Sequence, residues 1–234
     1  MYVTKYIQRR CLILLDYIWL DGDLPILSQL PNNFNSAAIL FHPFIQMPSG
    51  WEKSKRANTY QHIYPSDEEM FKLGEPISWK EVMAKSNLNS YKELFRALQY
   101  LTGAPSDEYK KLASYFKSNP DFYYPKEDRT SLFILDGLVK ILCSKGANTL
   151  YFSEPIHDTN GSFKVNDMSS LEIANLSPNE SIITDKNRDF AFMGIYDSFI
   201  TLLLAKDTNI EDIIKSQNLE ALICNKETYL NSFI

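Results

Sequence analysis

Glycine is scarce in this chain. Eight glycines in 234 residues leave little material for the loops that bring a backbone close to a phosphate, and neither a P-loop nor a G-x-S-x-G elbow occurs. Histidine is scarcer still: His42, His62 and His157 are the whole supply, and no H-E-x-x-H pair exists to hold a catalytic zinc. The three cysteines, Cys11, Cys143 and Cys224, are odd in number, far apart and set among aliphatic residues. They read as small buried hydrophobes in a reducing compartment and not as a disulfide framework or thiolate metal site. No metal and no cofactor is expected. Positive charge is also short, with 24 Lys+Arg against 29 Asp+Glu giving a net charge of -5, which argues against nucleic acid or an anionic membrane surface as a partner. Long hydrophobic runs are missing too. The run Cys11 to Leu15, preceded by Lys5, Arg9 and Arg10, ends at Asp16, and Asp21 and Asp23 stand where a signal peptide needs small residues. Phe190 to Ala205 is broken by Asp197 and Ser198 and falls short of the ~20 residues of a spanning helix. The chain reads as soluble and cytoplasmic.

What is present is apolar and aromatic: 44% hydrophobic residues, with 14 Tyr, 14 Phe and 3 Trp, enough for one large domain or two small ones. Without a basic groove the aromatics read as core and not as a base-stacking platform. Charge is divided unevenly. Residues 1–126 hold 15 Lys+Arg against 13 Asp+Glu, and residues 127–234 hold 9 against 16, net -7. The turn-like stretch Asn119 to Pro125 marks a joint between a loop-rich and helical N-terminal part, 1–126, and a C-terminal part, 127–234, that holds most strands.

Helix starts are well marked in the middle of the chain. Ser66-x-x-Glu69, Ser78-x-x-Glu81 and Ser90-x-x-Glu93 have capping-box spacing, in which the serine oxygen accepts an early N–H and the glutamate reaches back to the cap. Leu94, Leu98 and Leu101 form the buried stripe of the third helix, and another helix is expected over 107–118. Residues 130–145 predict a helix apolar on most faces, hence central, interrupted only by Asp136 and Lys140 and stopped at Gly146. Strands are expected at Ala37 to Phe41, Thr149 to Ser153, Phe163 to Val165, Ser181 to Thr184, Phe190 to Tyr196, Phe199 to Leu204 and Ala221 to Cys224. Asn160-Gly161 predicts a two-residue hairpin turn, and Thr208-x-x-Glu211 opens a last helix. The class is α+β, a helical middle section with a largely antiparallel C-terminal sheet.

Candidate chemistry is thin. Glu154 and His157 are three apart, a spacing suited to general acid–base work, although His157 and Asp158 run into the expected turn and so into solvent. Asp185, Arg188 and Asp189 form a charged loop that either fixes register or, with Glu154 or Tyr196-Asp197 beside it in the sheet, contacts an ion or substrate. Asp197 interrupts two apolar runs. It is a turn residue or, if buried, needs a partner such as Arg188. His42 and His62, each among aromatics or prolines, read as structural.

Five segments together resemble a known family: Asp16-Tyr-Ile-Trp-Leu-Asp21, Phe41-His-Pro-Phe-Ile-Gln-Met-Pro-Ser-Gly-Trp51, Ile63-Tyr-Pro-Ser-Asp67, Tyr151-Phe-Ser-Glu-Pro155, and Asp189-Phe-Ala-Phe-Met193 through Ile195-Tyr-Asp-Ser-Phe199. The family is domain of unknown function 2711, from Gram-positive, spore-forming bacteria. The resemblance covers the chain from about residue 16 and implies a bacterial cytoplasmic protein without an assigned activity. Two functional expectations remain. The first is a non-enzymatic interaction module that binds a basic protein through the acidic C-terminal part, a toxin-neutralising immunity protein being one such case. The alternative is a hydrolase-type enzyme built from Glu154, His157, Asp185 and Asp189, which requires those groups to converge in one cleft.

Overall fold

The computed structural model describes residues 15–58, 60–99, 106–177, 179–207 and 209–232; Cys11, Leu101 and Thr208 lie outside them. In chain order the strands are β1 (Ser36–Phe41), β2 (Phe44–Gln46), β3 (Glu75–Ile77), β4 (Phe122–Tyr123), β5 (Thr149–Glu154), β6 (Thr159–Lys164), β7 (Ile182–Asp185), β8 (Phe190–Gly194), β9 (Ile200–Ala205) and β10 (Ala221–Ile223). The α-helices are α1 (Trp51–Lys55), α2 (Asp67–Leu73), α3 (Trp79–Ser86), α4 (Tyr91–Leu98), α5 (Asp107–Ser118), α6 (Leu132–Cys143), α7 (Ser170–Ala174) and α8 (Ile210–Ser216). The fold is mixed α+β, with the large sheet drawn mainly from the C-terminal part. Residues 15–42 and Lys126–Asn231 form one compact unit, and Pro43–Pro125 forms a second.

The first unit is a seven-stranded antiparallel sheet in the order β10-β1-β9-β8-β7-β5-β6. The early strand β1 lies between β9 and β10, with Ile39 opposite Leu202 on one side and Leu222 on the other, and this pairing binds residues before His42 to the late strands. Side chains alternate between faces along each strand. One face carries Leu40, Leu203, Phe192, Ile183 and Leu150 beneath α6, whose Leu135, Leu138 and Leu142 are buried in the same cluster. The other carries Ile39, Leu202, Leu204, Met193 and Ile182, which are also fully buried. Burial on both faces is why these strands read as unbroken apolar runs. Asp136 and Lys140 form an ion pair on the solvent side of α6 at 2.6 Å, and Gly146 ends the helix in the left-handed region at φ 86°.

The β5–β6 hairpin departs from expectation. Asn160 and Gly161 are not its turn; they pair with Ser153 and Phe152 inside β6, and the loop is the four residues 155–158. The Glu154 side chain accounts for the shift. Its carboxylate accepts the N–H groups of Ile156 at 2.7 Å and His157 at 3.0 Å, closing the longer loop, with Asp158 in the left-handed region at φ 50°. Gly161 serves packing instead: a Cβ there would lie 3.0 Å from the Phe152 ring.

The second unit has a core of rings. β2 lies between β3 and β4, and Phe44 stacks on Phe122 at 5.6 Å and meets Trp79 at 5.9 Å. Trp79 in turn meets Phe95 at 5.5 Å. The 119–125 stretch thus contains the edge strand β4, and its aromatics are packed. The serine caps place the surrounding helices. Ser66 and Glu69 make the full reciprocal box. Ser78 and Ser90 accept the expected N–H groups, but Glu93 reaches past its cap to the N–H of Asn89. Ser106 caps α5.

Within the sheet unit, where the chain leaves it, His42 is fully buried. Its Nδ1 lies 2.8 Å from the Lys126 carbonyl and its Nε2 2.9 Å from Thr201 Oγ1. A carbonyl only accepts, so Nδ1 carries the proton and Nε2 accepts from the hydroxyl. Burial pulls the imidazole pKa down to about 4, outweighing the Lys126 carbonyl, which raises it. The last residue before the chain leaves the sheet unit is thereby tied to the first after it returns, by a neutral histidine.

Candidate functional site

The residues singled out in the sequence fall into three places. Glu154 and His157 do meet, Oε2 to Nδ1 at 3.2 Å. Glu154 is buried and His157 exposed at the hairpin tip. Burial pushes the Glu154 carboxyl up, but the N–H groups of His157 and Ile156 and the imidazole outweigh it and hold the pKa below the usual range. This carboxylate is occupied in closing a loop.

Asp185 and Asp189 lie at the other end of β5. Asp185 is opposite Leu150, and four residues of strand, about 13 Å, separate that position from Glu154. The four groups of the hydrolase reading therefore do not share a cleft. Asp185 is buried and accepts the N–H groups of Asn187 and Phe190 at 2.8 and 3.0 Å, and Arg188 takes left-handed backbone at φ 54°. Asp189 lies 3.9 Å from Lys145 Nζ and 3.7 Å from Lys206 Nζ. Its loop is salt-linked through those lysines.

The third place gathers Tyr196 and Asp197 with residues that the chemical search passed over. Asp197 is an exposed turn residue at φ 51°, and its N–H donates to Asp128 Oδ1 at 2.6 Å. Asp128, also left-handed at φ 67°, donates its own N–H to the Ser198 carbonyl. Gly194 permits this approach, because a Cβ there would meet the Asp128 carbonyl oxygen at 2.9 Å. From the N-terminal segment, the Tyr17 hydroxyl donates to the Gly194 carbonyl at 2.8 Å, and Trp19 packs edge-on against the Tyr17 ring at 5.0 Å. Trp19 and Tyr196 nonetheless stand 65% and 63% exposed.

Carboxylates gather where these segments meet. Partial burial, then Asp197 and Asp128, push the Glu127 pKa up. Burial, with Glu180 next, raises that of Tyr17. Glu180 is itself buried, and its Oε1 has no hydrogen-bond partner among the described residues. This unit is the acidic one: residues 1–42 and 126–231 hold 13 Lys+Arg against 19 Asp+Glu, net -6, whereas 43–125 hold 11 against 10, net +1. The visible signal for Tyr17 and Trp19 was their motif, Asp16 to Asp21; nothing in it says that they reach Gly194. Among the described residues no group of three or more His, Cys, Asp or Glu side chains is placed to hold a metal ion, and no helix is long and apolar enough to cross a membrane.

Comparison with known proteins gives a family and no activity. The family model described as "Protein of unknown function (DUF2711)" matches residues 22–234. The chain is 43% identical to the uncharacterized protein YwbB of Bacillus subtilis (strain 168), over 93% of this chain and 99% of that protein. No solved structure matches.

Proposed function

We propose that this chain, which belongs to the DUF2711 family of proteins of unknown function, is a non-enzymatic interaction module whose acidic unit docks a basic segment of another protein. One observation carries the reading: the segments bearing the exposed rings of Trp19 and Tyr196 meet at Gly194 beside Asp128 and Asp197, where burial and then these two carboxylates push the Glu127 pKa up. Crowded like charges cost free energy, which an arriving lysine or arginine relieves. Exposed tryptophan and tyrosine supply contact area and a π-face for the same cation. The net charge of -6 on this unit steers a basic partner toward it and makes the encounter sensitive to salt. The reading assigns the encounter to the bacterial cytoplasm, where Cys143 and Cys224 remain thiols.

A lysine octapeptide titrated calorimetrically into the chain tests this. Binding is expected at low ionic strength and is lost at about 0.5 M salt, where the screening length falls to a few ångströms. Trp19→Ala and Asp197→Lys are each expected to weaken it about tenfold, or 1.4 kcal/mol. No binding at low salt, or binding that neither variant changes, overturns the reading.

A further inference from the structure

The second unit holds a cleft of about 250 Å³ that the acidic face does not use. Its apolar walls are Ile63, Tyr64, Phe116, Pro120 and Tyr123, and its polar groups are Glu52, Arg56, His62 and Lys117. The sequence pointed to His62 only as an aromatic neighbour; here it lies 3.5 Å from Glu52.

The lone carboxylate of the cleft is already engaged. Asp121, buried, accepts the N–H groups of Gly50 and Glu52 at 2.6 and 2.9 Å and so fixes the start of α1. One turn on, Arg56 Nη2 contacts Glu52 Oε1 at 2.6 Å. Burial pushes the Glu52 carboxyl up, but Arg56 and the Ile63 N–H outweigh it and keep its pKa below the usual range. Lys117, exposed, adds a further positive charge at the cleft. Of the lining residues, Arg56 keeps a buried donor, Nε, with no acceptor among the described residues. An unpartnered donor and surplus positive charge favour an incoming group that brings acceptor oxygens. A cation would meet the opposite conditions.

Volume and walls constrain the rest of the ligand. Sites for drug-sized molecules occupy ~300–1,000 Å³, so this cleft is at the small end and suits a single ring. Tyr64 and Tyr123 are in edge contact at 6.1 Å, and with Phe116 they offer ring faces and edges for stacking. We propose that the cleft binds a small acid, carboxylate or phosphate, carried on one planar ring. The acid group meets Lys117 and the Arg56 guanidinium, and the ring lies against Phe116, Tyr64 and Tyr123.

Four probes, titrated into the full chain and followed in amide NMR spectra, separate the contributions. Benzoate and phenyl phosphate each carry ring and acid, benzylamine carries the ring with the opposite charge, and inorganic phosphate has no ring. At least one ring acid is expected to shift the Ile63, Tyr64 and Lys117 amides saturably, and the tighter of the two identifies the acid. Benzylamine and inorganic phosphate are expected to bind at least about tenfold more weakly. Arg56→Gln would strand the buried Glu52 and risks unfolding the site. Lys117→Glu, at an exposed position, is the cleaner variant, expected to weaken the ring acid about tenfold without changing the thermal melt. The proposal is overturned if neither ring acid shifts these signals, if benzylamine or phosphate matches the ring acid, or if Lys117→Glu binds within twofold of the parent.

Discussion

The two units bury their cores with different residues and carry different charge. The sheet unit packs aliphatic side chains, Leu138, Leu150, Leu203 and Ile39 among them, on both faces of long central strands. The inserted unit packs rings, Phe44, Trp79, Phe95 and Phe122, around strands of two or three residues held by capped helices. Net charge is -6 on the first and +1 on the second. The contrast separates two kinds of recognition. A broad acidic unit with exposed rings suits a basic macromolecule, while a nearly neutral unit with a small, locally positive cleft suits a small acid.

Core substitutions are the strongest way to break this contrast. Leu138→Ala removes a fully buried side chain between α6 and the sheet and is expected to cost about 2–5 kcal/mol, and Trp79→Ala in the ring core about 3–5 kcal/mol. Urea melts followed by circular dichroism check both. A loss under about 1 kcal/mol in either would place that residue outside a tightly packed core.

Acid tests the joint. Unfolded, the His42 imidazole titrates at its ordinary pKa of 6.5; folded, burial lowers it to about 4. Between those values the unfolded chain binds the extra proton, so stability falls as pH drops through that window and is unaffected by this group above it. The full loss from His42 is about 3 kcal/mol, most of it present by about pH 5. Urea midpoints at successive pH values measure it, and a midpoint unchanged between neutral and mildly acidic solution would contradict a buried neutral imidazole.

Gly194→Ala sharpens the account of the acidic face. The new Cβ would meet the Asp128 carbonyl at 2.9 Å, forcing apart the segments that set Asp128 against Asp197, at about 1–3 kcal/mol. An unchanged melting temperature would mean that these segments yield freely. Asp197→Asn is the smallest change. Asparagine suits an exposed left-handed turn as well as aspartate does, so stability should stay within about 0.5 kcal/mol. A loss above about 2 kcal/mol would indicate a buried, paired acid instead.

Local signals were legible where a few neighbouring residues decide the outcome. The serine boxes gave α2, α3 and α4, helix α5 has its expected bounds, and Asp197 sits in a turn. Ser169-x-x-Glu172 has the same spacing and forms a full box, but the five-residue α7 that follows is too short to show an apolar stripe. Asn160-Gly161 misled because turn propensity is a local preference, and a side chain three residues from the loop tip, Glu154, overrode it. What stayed hidden was non-local. Nothing in Ser36–Phe41 says that it pairs with strands more than 150 residues later, and nothing in Tyr17 says that its hydroxyl meets Gly194. Cutting the chain at 126 alone mixes residues of both units: the acidity of residues 127–234, net -7, is already visible there, but the near-neutral insert is separated from residues 1–42 only by the cuts at 43 and 125.

The central claim, that acidic recognition belongs to the sheet unit and to its Trp19–Tyr196 face, is tested most directly by mapping a lysine octapeptide onto the backbone amides of the full chain at two salt concentrations. The account predicts that saturable shifts concentrate on Tyr17, Trp19, Glu127, Asp128 and Tyr196 to Ser198 at low salt and vanish at about 0.5 M. Shifts that fall mainly on residues 43–125, or that persist undiminished at high salt, would contradict it.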